Sequence, residues 1–382
     1  MGASKKPAAE RISQRAQAIQ ASGIRRMFEL SSTMVDPINL SIGQAHFDPP
    51  EELVEAAIHA LRSGHHRYSV TEGLPKLNVA IASYFERQWG RRPASTMVTL
   101  GVSGGIMLSF LAALDPGDEV LIPDPYFVMY KHVATMLGIT PVTYDLYPDF
   151  RLRRAALERA VSPRTKAILV NSPANPTGAV LSREELELVA AFAKEHDLLV
   201  ISDEIYSEFC FDGAFPSMIQ AEPDALVLGG FSKTYGIPGW RLGYAVGPEA
   251  IIDKMRTLQQ FTFVCAPVPL QHAAVKALDL DMSAEIRAYA AKRDRVVEGL
   301  REHFELVAPA GSFYAFPRLP AGVDPQLFAE RAVAKKTLIV PGSAFSLRNT
   351  HFRLSFALDD AKLQRGIDVL NEIARDLGAR RA

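Results

Sequence analysis

Ala225-Leu226-Val227-Leu228-Gly229-Gly230-Phe231-Ser232-Lys233-Thr234-Tyr235 is the stretch from which the fold can be read. The apolar run Ala225 to Leu228 stops at two glycines, and a lysine follows. A short unbroken apolar run bounded by turn residues fits a strand buried on both faces. Lys233 then stands at the carboxyl end of that strand, where open α/β sheets bind ligands. An amine held there, partly desolvated, is suited to Schiff-base chemistry with an aldehyde. Most lysines are solvated surface charges, so the weight rests on the surroundings. Gly239-Trp240-Arg241-Leu242-Gly243-Tyr244 follows and brings an arginine close behind the lysine.

Outward from this stretch, helical and strand patterns alternate, as in a parallel sheet with crossover helices. Leu53, Val54, Ala57, Ile58 and Leu61 share one face of a helix over 51–61, and 77–85 repeats the pattern. Met107 to Leu114 reads as a short buried helix ended by Asp115-Pro116-Gly117. Strands are predicted over 119–122, 166–170 and 198–201, and Ser182 with Glu185 forms a capping box for a helix over 184–196. Asn171, Ser202, Asp203 and Glu204 all fall at strand exits. Beyond about Pro269 the texture changes to a long helix over 283–303, short strands around 311–317 and 338–341, and an alternating segment, 352–356, with Arg353 and Ser355 on one face. The expected organisation is an N-terminal arm (1–45), frayed over about its first ten residues, a large domain (46–275) and a smaller α+β domain (276–382).

Composition narrows the function. The 382 residues suit about two or three domains. Lys plus Arg is 42 against 43 Asp plus Glu, so nothing favours nucleic acid or an acidic membrane as a partner. No apolar run approaches the roughly 18 residues of a membrane span. Cys210 and Cys265 lack metal-ligand spacing, and a reducing, cytoplasmic setting is the simplest one.

Taken together, the motifs resemble the class I/II aminotransferases, the fold type I enzymes that use pyridoxal 5′-phosphate, over nearly the whole chain and in family order. They are Leu40-Ser41-Ile42-Gly43-Gln44, Tyr68 ahead of Gly73, the turn after Gly101, Asp115-Pro116-Gly117-Asp118, Asn171-Ser172-Pro173-Ala174-Asn175-Pro176-Thr177-Gly178, Asp203-Glu204-Ile205-Tyr206, Ser232-Lys233, Gly239-Trp240-Arg241-Leu242-Gly243 and Arg353-Leu354-Ser355-Phe356-Ala357. The resemblance implies a large domain with a mostly parallel central sheet flanked by helices, plus a smaller α+β domain.

It also implies roles. Lys233 would hold the cofactor as a Schiff base and move the substrate's Cα proton. Asp203 would keep the pyridine nitrogen protonated, while Tyr206 and Asn175 would donate to the phenolic oxygen. Arg241, the amides of Val102, Ser103 and Gly104 at a helix start, and Tyr68 of a neighbouring subunit would take the phosphate. Phe127 would stack on the ring, with Tyr126 as the rival one residue away. Arg353 would bind the substrate's α-carboxylate, with the Gly43 amide and Asn175 beside it. Glu204 reads as structural. Gly230 departs from relatives that carry a phosphate-binding serine there, and Ser232 is a doubtful substitute.

The expected activity is ping-pong transfer of an amino group from an α-amino acid to a 2-oxo acid such as 2-oxoglutarate, in a homodimer with small-molecule substrates. The absence of a lysine near Ser103 weakens an aspartate assignment, and His46, Phe47, Tyr126 and Phe127 point toward neutral or aromatic donors. A carbon–sulfur β-lyase on the same fold is the nearest rival. A cofactor-binding transcriptional regulator is remote: about 40 residues precede Gly43, and the charge is neutral.

Overall fold

The computed structural model describes residues 8–19 and 23–378. A seven-stranded sheet runs through the larger body in the order Ser95–Leu100, Leu242–Gly247, Leu226–Gly230, Leu199–Asp203, Thr165–Asn171, Glu119–Asp124, Thr140–Asp145. Leu242–Gly247 is antiparallel to both neighbours, and every other pairing is parallel.

Strand period explains how continuous apolar runs serve two faces. Ile168, Val170, Val200 and Val227 enter one core with Leu53, Leu77 and Phe192, whereas Ala167, Leu169, Ile201, Leu226 and Leu228 enter the other with Phe110, Tyr130 and Met255. A third core joins Tyr289, Val296 and Leu300 of helix Ser283–Leu300 to Leu363, Leu370 and Ile373 of helix Asp360–Asp376 and to strands Tyr314–Ala315 and Phe352–Ser355. Ile38 and Leu40 join it from the arm, where Ile38–Asn39 pairs in parallel with Thr337–Leu338. Most of the tail expected to fray lies outside the described residues, and Ala8–Arg11 is an exposed single turn.

The capping box forms: Ser182 accepts from the Glu185 N–H at 3.3 Å, and Glu185 accepts from the Ser182 N–H at 2.7 Å, starting helix Arg183–Glu195. Three features differ from expectation. The helix placed at 107–114 begins at Gly101 and runs to Ala113. Glycines 104 and 105, weak helix formers, obscure its first turns, yet they allow close approach to Phe263 and Leu228. Strands Ser95–Leu100 and Thr140–Asp145 had no clear pattern because they are the sheet's edges and carry partly exposed serine and threonine. The expected boundary at 275/276 falls inside helix Val268–Ala277, whose Ala273, Ala274 and Ala277 belong to the larger body's core. We propose that the smaller body begins at Ser283.

Two glycines position the first turn of helix Gly101–Ala113. Gly101 takes φ +67°, in the left-handed region. Gly243, on the neighbouring strand, lies so close that a Cβ there would meet Gly101 C at 2.5 Å and Val102 N at 2.7 Å. Both are backbone atoms, so Gly243→Ala must displace the helix start. A loss of about 1–3 kcal/mol is expected, as for other overpacked sites, and urea titration measures it.

Candidate active site

Three neighbouring strands end on one edge of the sheet, and their register aligns Asn171 with Asp203 and Asp203 with Leu228. Lys233 follows the third strand by three residues. The segments beyond these exits enclose a cavity of about 380 Å³, bordered by Lys233, Asp203, Tyr206, Asn175, Arg353, Arg241, Val102, Ser103, Phe127 and Gly43.

Asp203 is buried. Its Oδ2 accepts from Tyr130 Oη at 2.7 Å and its Oδ1 from the Ile205 N–H at 3.2 Å. Burial pushes its carboxyl up to about 6, against the opposing pull of Tyr130, Ile205 and the Lys233 charge. Glu204, next in sequence, faces away from the cavity: its carboxylate accepts from Ser217 Oγ (2.7 Å), Ser202 Oγ (2.9 Å) and the Met218 N–H (2.9 Å). It anchors the segment after the strand.

Lys233 borders the cavity, and its Nζ donates to the Gly43 carbonyl at 2.6 Å. Burial, with Arg353 and Arg241 nearby, pulls its amine down to about 8, while Asp203 acts in the opposite sense. Arg353 is the largest fully buried side chain, only 1% exposed. It donates to Asn175 Oδ1 at 3.0 Å and to the Ser41 carbonyl at 2.7 Å, and its guanidinium lies 4.4 Å from the Tyr314 ring and 4.7 Å from Phe345. Its Nε has no hydrogen-bond partner among the described residues. Tyr206 and Tyr314 share a hydroxyl–hydroxyl bond of 3.0 Å at the cavity wall.

The anion-binding candidates Val102, Ser103 and Arg241 border the same cavity. Val102 and Ser103 open helix Gly101–Ala113, and a Cβ at Gly101 would stand 2.8 Å from the Arg241 guanidinium, so a glycine leaves room there. Arg241 itself takes φ +59° in its turn and donates to the Pro238 carbonyl at 3.1 Å.

Several expectations need amendment. Gly104 does not border the cavity; its α-carbon faces Leu100 and Phe263. Tyr68 is 82% exposed and lies outside its own chain's cavity. Of the aromatic rivals, Phe127 lines the cavity, and Tyr126 is buried in a sheet core with its N–H bound to the Phe345 carbonyl at 2.7 Å. His46 and Phe47 do not line it either: His46 Nδ1 bonds Tyr289 Oη at 2.8 Å, and Phe47 packs edge-on to Tyr289. A serine at position 230 has little space, since a Cβ there meets Gly243 Cα, Ile205 Cδ1 and Leu242 O, each at 3.1 Å, whereas Ser232 lines the cavity. Tyr130, Tyr314 and Ile24 were missed. Tyr130 stands one helical turn after Phe127 and was discoverable from that spacing; Tyr314 and Ile24 come from remote segments and carried no local signal.

The family model for aminotransferase class I and II matches residues 35–370. Among curated proteins, the chain is 35% identical to aromatic-amino-acid aminotransferase 2 of Thermococcus litoralis, covering 96% of this chain and 98% of that one. It is likewise 35% identical to the aspartate/prephenate aminotransferase of Thermus thermophilus, with 96% and 99% covered. Among solved structures it is similar to the aspartate aminotransferase of Thermus thermophilus with maleate, at TM-score 0.88 and 33% identity over 95% of this chain and 99% of that one. The aromatic aminotransferase of Pyrococcus horikoshii gives TM-score 0.86 and 34% identity over 93% and 99%. With such matches along nearly its full length, the chain belongs to the class I and II aminotransferases and is an amino-acid aminotransferase.

Proposed function

We propose that the chain is a pyridoxal 5′-phosphate-dependent enzyme that moves the amino group of a neutral or aromatic α-amino acid to a 2-oxo acid such as 2-oxoglutarate by ping-pong turnover. The observation that carries this reading is the meeting of Lys233, Asp203 and Arg353 in one cavity bordered by a helix start. The residues fit that cofactor. Glycine at 101 leaves a cradle beside Arg241, and Asp203 is a buried carboxylate in no ion pair among the described residues.

Bound there, the cofactor supplies an electrophilic aldehyde carbon and an electron-accepting ring. Lys233 would hold the aldehyde and, once released by substrate, carry the proton at the substrate's Cα. Its lowered pKa keeps an appreciable fraction of the amine neutral near neutrality. Asp203 would hold a proton on the ring nitrogen, a cation that would offset the burial that raises its carboxyl. Tyr206 and the Asn175 side-chain amide would donate to the phenolic oxygen, since Asn175 Oδ1 is already taken by Arg353. Val102, Ser103 and Arg241 would bind the phosphate, with Phe127 stacked on the ring. Tyr68, exposed on its own chain, would reach the neighbouring site of a homodimer.

Arg353 would orient the substrate carboxylate through Nε and its fork, with Gly43 alongside. Lys233, Arg241 and Arg353 are the cations bordering the cavity among the described residues, and each already has a task. Ile24, Ile106 and Val128 add apolar wall suited to an uncharged side chain. That favours neutral or aromatic donors, now on this ground rather than on His46, Phe47 or Tyr126. The two free cysteines fit a cytoplasmic protein, and among the described residues no helix is long and apolar enough to cross a membrane.

Titration of the purified holoenzyme with single amino acids, followed by absorbance, tests the reading. Conversion of the aldehyde-form band to the amino-form band is expected, fastest with aromatic or neutral donors. Strong preference for aspartate would overturn the donor assignment, and release of pyruvate and ammonia without an oxo acid would overturn the transferase. The amine must be neutral to attack an aldehyde and its pKa is lowered, so it is protonated below about 8 and free above. The rate of cofactor uptake by the stripped protein is therefore expected to climb with pH through about 8 and then level off in stopped-flow absorbance. Asp203→Asn is expected to lower kcat by about 10³-fold, the scale of losing a preorganised charge, while the cofactor still binds.

A further inference from the structure

Residues 345–348, which run between the paired strands Val340–Pro341 and Phe352–Ser355, are fastened to the larger body just behind Arg353. The Phe345 carbonyl accepts from the Tyr126 N–H at 2.7 Å. Ser346 Oγ accepts from Tyr147 Oη at 3.0 Å and from the Arg348 N–H at 2.9 Å. Arg348 Nη2 donates to Asp145 Oδ2 at 2.6 Å, and its guanidinium lies 4.3 Å from the Tyr147 ring. Asp145 is itself held, its Oδ1 accepting from the Tyr147 N–H at 3.0 Å. Phe345 is fully buried, and its ring forms one of the two aromatic faces against the Arg353 guanidinium. Phe345 also packs on Phe316 and donates its N–H to the Gly342 carbonyl at 2.8 Å within its own body, while the bonds that tie 345–348 across to the larger body come from the exits of strands Glu119–Asp124 and Thr140–Asp145.

We infer that Arg348, with Tyr147, is a positioning residue for substrate recognition: it clamps 345–348 to the sheet so that Phe345 fixes the Arg353 guanidinium for the incoming carboxylate. The clamp touches neither cavity nor cofactor-binding residues, so it acts on carboxylate affinity rather than on chemistry. A planar guanidinium suits the role, because it stacks on Tyr147 while its edge binds Asp145. The pair is about half exposed, and a modest effect follows.

This inference rests on Arg353 binding the α-carboxylate, and the test separates the two. KM for a neutral amino acid and for 2-oxoglutarate is measured on the holoenzyme, with calorimetric affinity for 3-phenylpropanoate, a carboxylate that cannot react. Arg348→Ala combined with Tyr147→Phe is expected to raise KM and weaken 3-phenylpropanoate binding by about tenfold, the sum of an ion pair and a cation–π contact. Saturating kcat, cofactor affinity and Tm stay near those of the parent. Arg348→Lys, which keeps a cation within reach of Asp145, recovers part of the loss. Lys335→Ala, which breaks the surface pair with Glu372, leaves KM unchanged. If Arg353→Ala leaves carboxylate affinity intact, the underlying reading of Arg353 fails. If Arg353→Ala weakens it but the clamp variant does not, or if the clamp variant lowers only kcat, cofactor affinity or Tm, the clamp is overturned.

Discussion

The alignment of adjacent parallel strands is the constraint on which the site depends. Asn171 pairs with Asp203 and Asp203 with Leu228, so the three strands present their exits side by side. The Asn171 side chain donates to the Asp203 carbonyl at 2.9 Å and accepts from the Asn175 N–H at 2.9 Å, which binds the following loop to the same edge. Side chains alternate with period two, so a one-residue slip would turn Asp203 toward the opposite face. Two apolar cores of large side chains, one on each face, hold the register against such a slip.

That arrangement concentrates charges in a place of low polarity. Asp203 is held up, Lys233 is held down, and burial also lowers the Arg353 guanidinium from its ordinary value. The three shifts share one physical origin, since each charged form loses water and gains incomplete replacement from protein. The surroundings supply part of it: Tyr130 and Ile205 for Asp203, the Gly43 carbonyl for Lys233, Asn175 and Ser41 for Arg353. Arg353, whose Nε has no partner among the described residues, borders a cavity of ligand size with Asp203 and Lys233. Glu204 is equally buried and burial pushes its carboxyl up to about 7 as well, but its three protein donors anchor a turn and it does not border the cavity.

The smaller body completes the site through Arg353, whose fork binds Asn175 across the divide. Its aromatic walls come from distant parts of the chain, Tyr314 on one side and Phe345 on the other. A bidentate binder is useful only when its plane is fixed, and long side chains lose much rotamer freedom when fixed. Two rings and two hydrogen bonds bear that cost before any substrate arrives.

The sequence by itself determined the central strands, the capping box and the residues at the strand exits, because their signals are local: unbroken apolar runs, a fixed Ser-to-Glu spacing, and polar groups where those runs stop. Lys233 and Asp203 were legible this way, whereas Tyr206, Asn175, Arg241, Arg353, Val102 and Ser103 were implied by the family resemblance, and all border one cavity. Only the tertiary structure decided which way neighbouring side chains face. Phe127 and Tyr126 are adjacent, and the rotation of one loop gives the first to the cavity and the second to the core. His46 and Phe47 read as pocket residues but are drawn to Tyr289, more than 240 positions away, by packing that no local pattern encodes. The glycine-rich start of helix Gly101–Ala113 carried no local pattern and was implied only by the resemblance: its small residues answer to Leu228, Phe263 and Gly243, partners that only folding brings near.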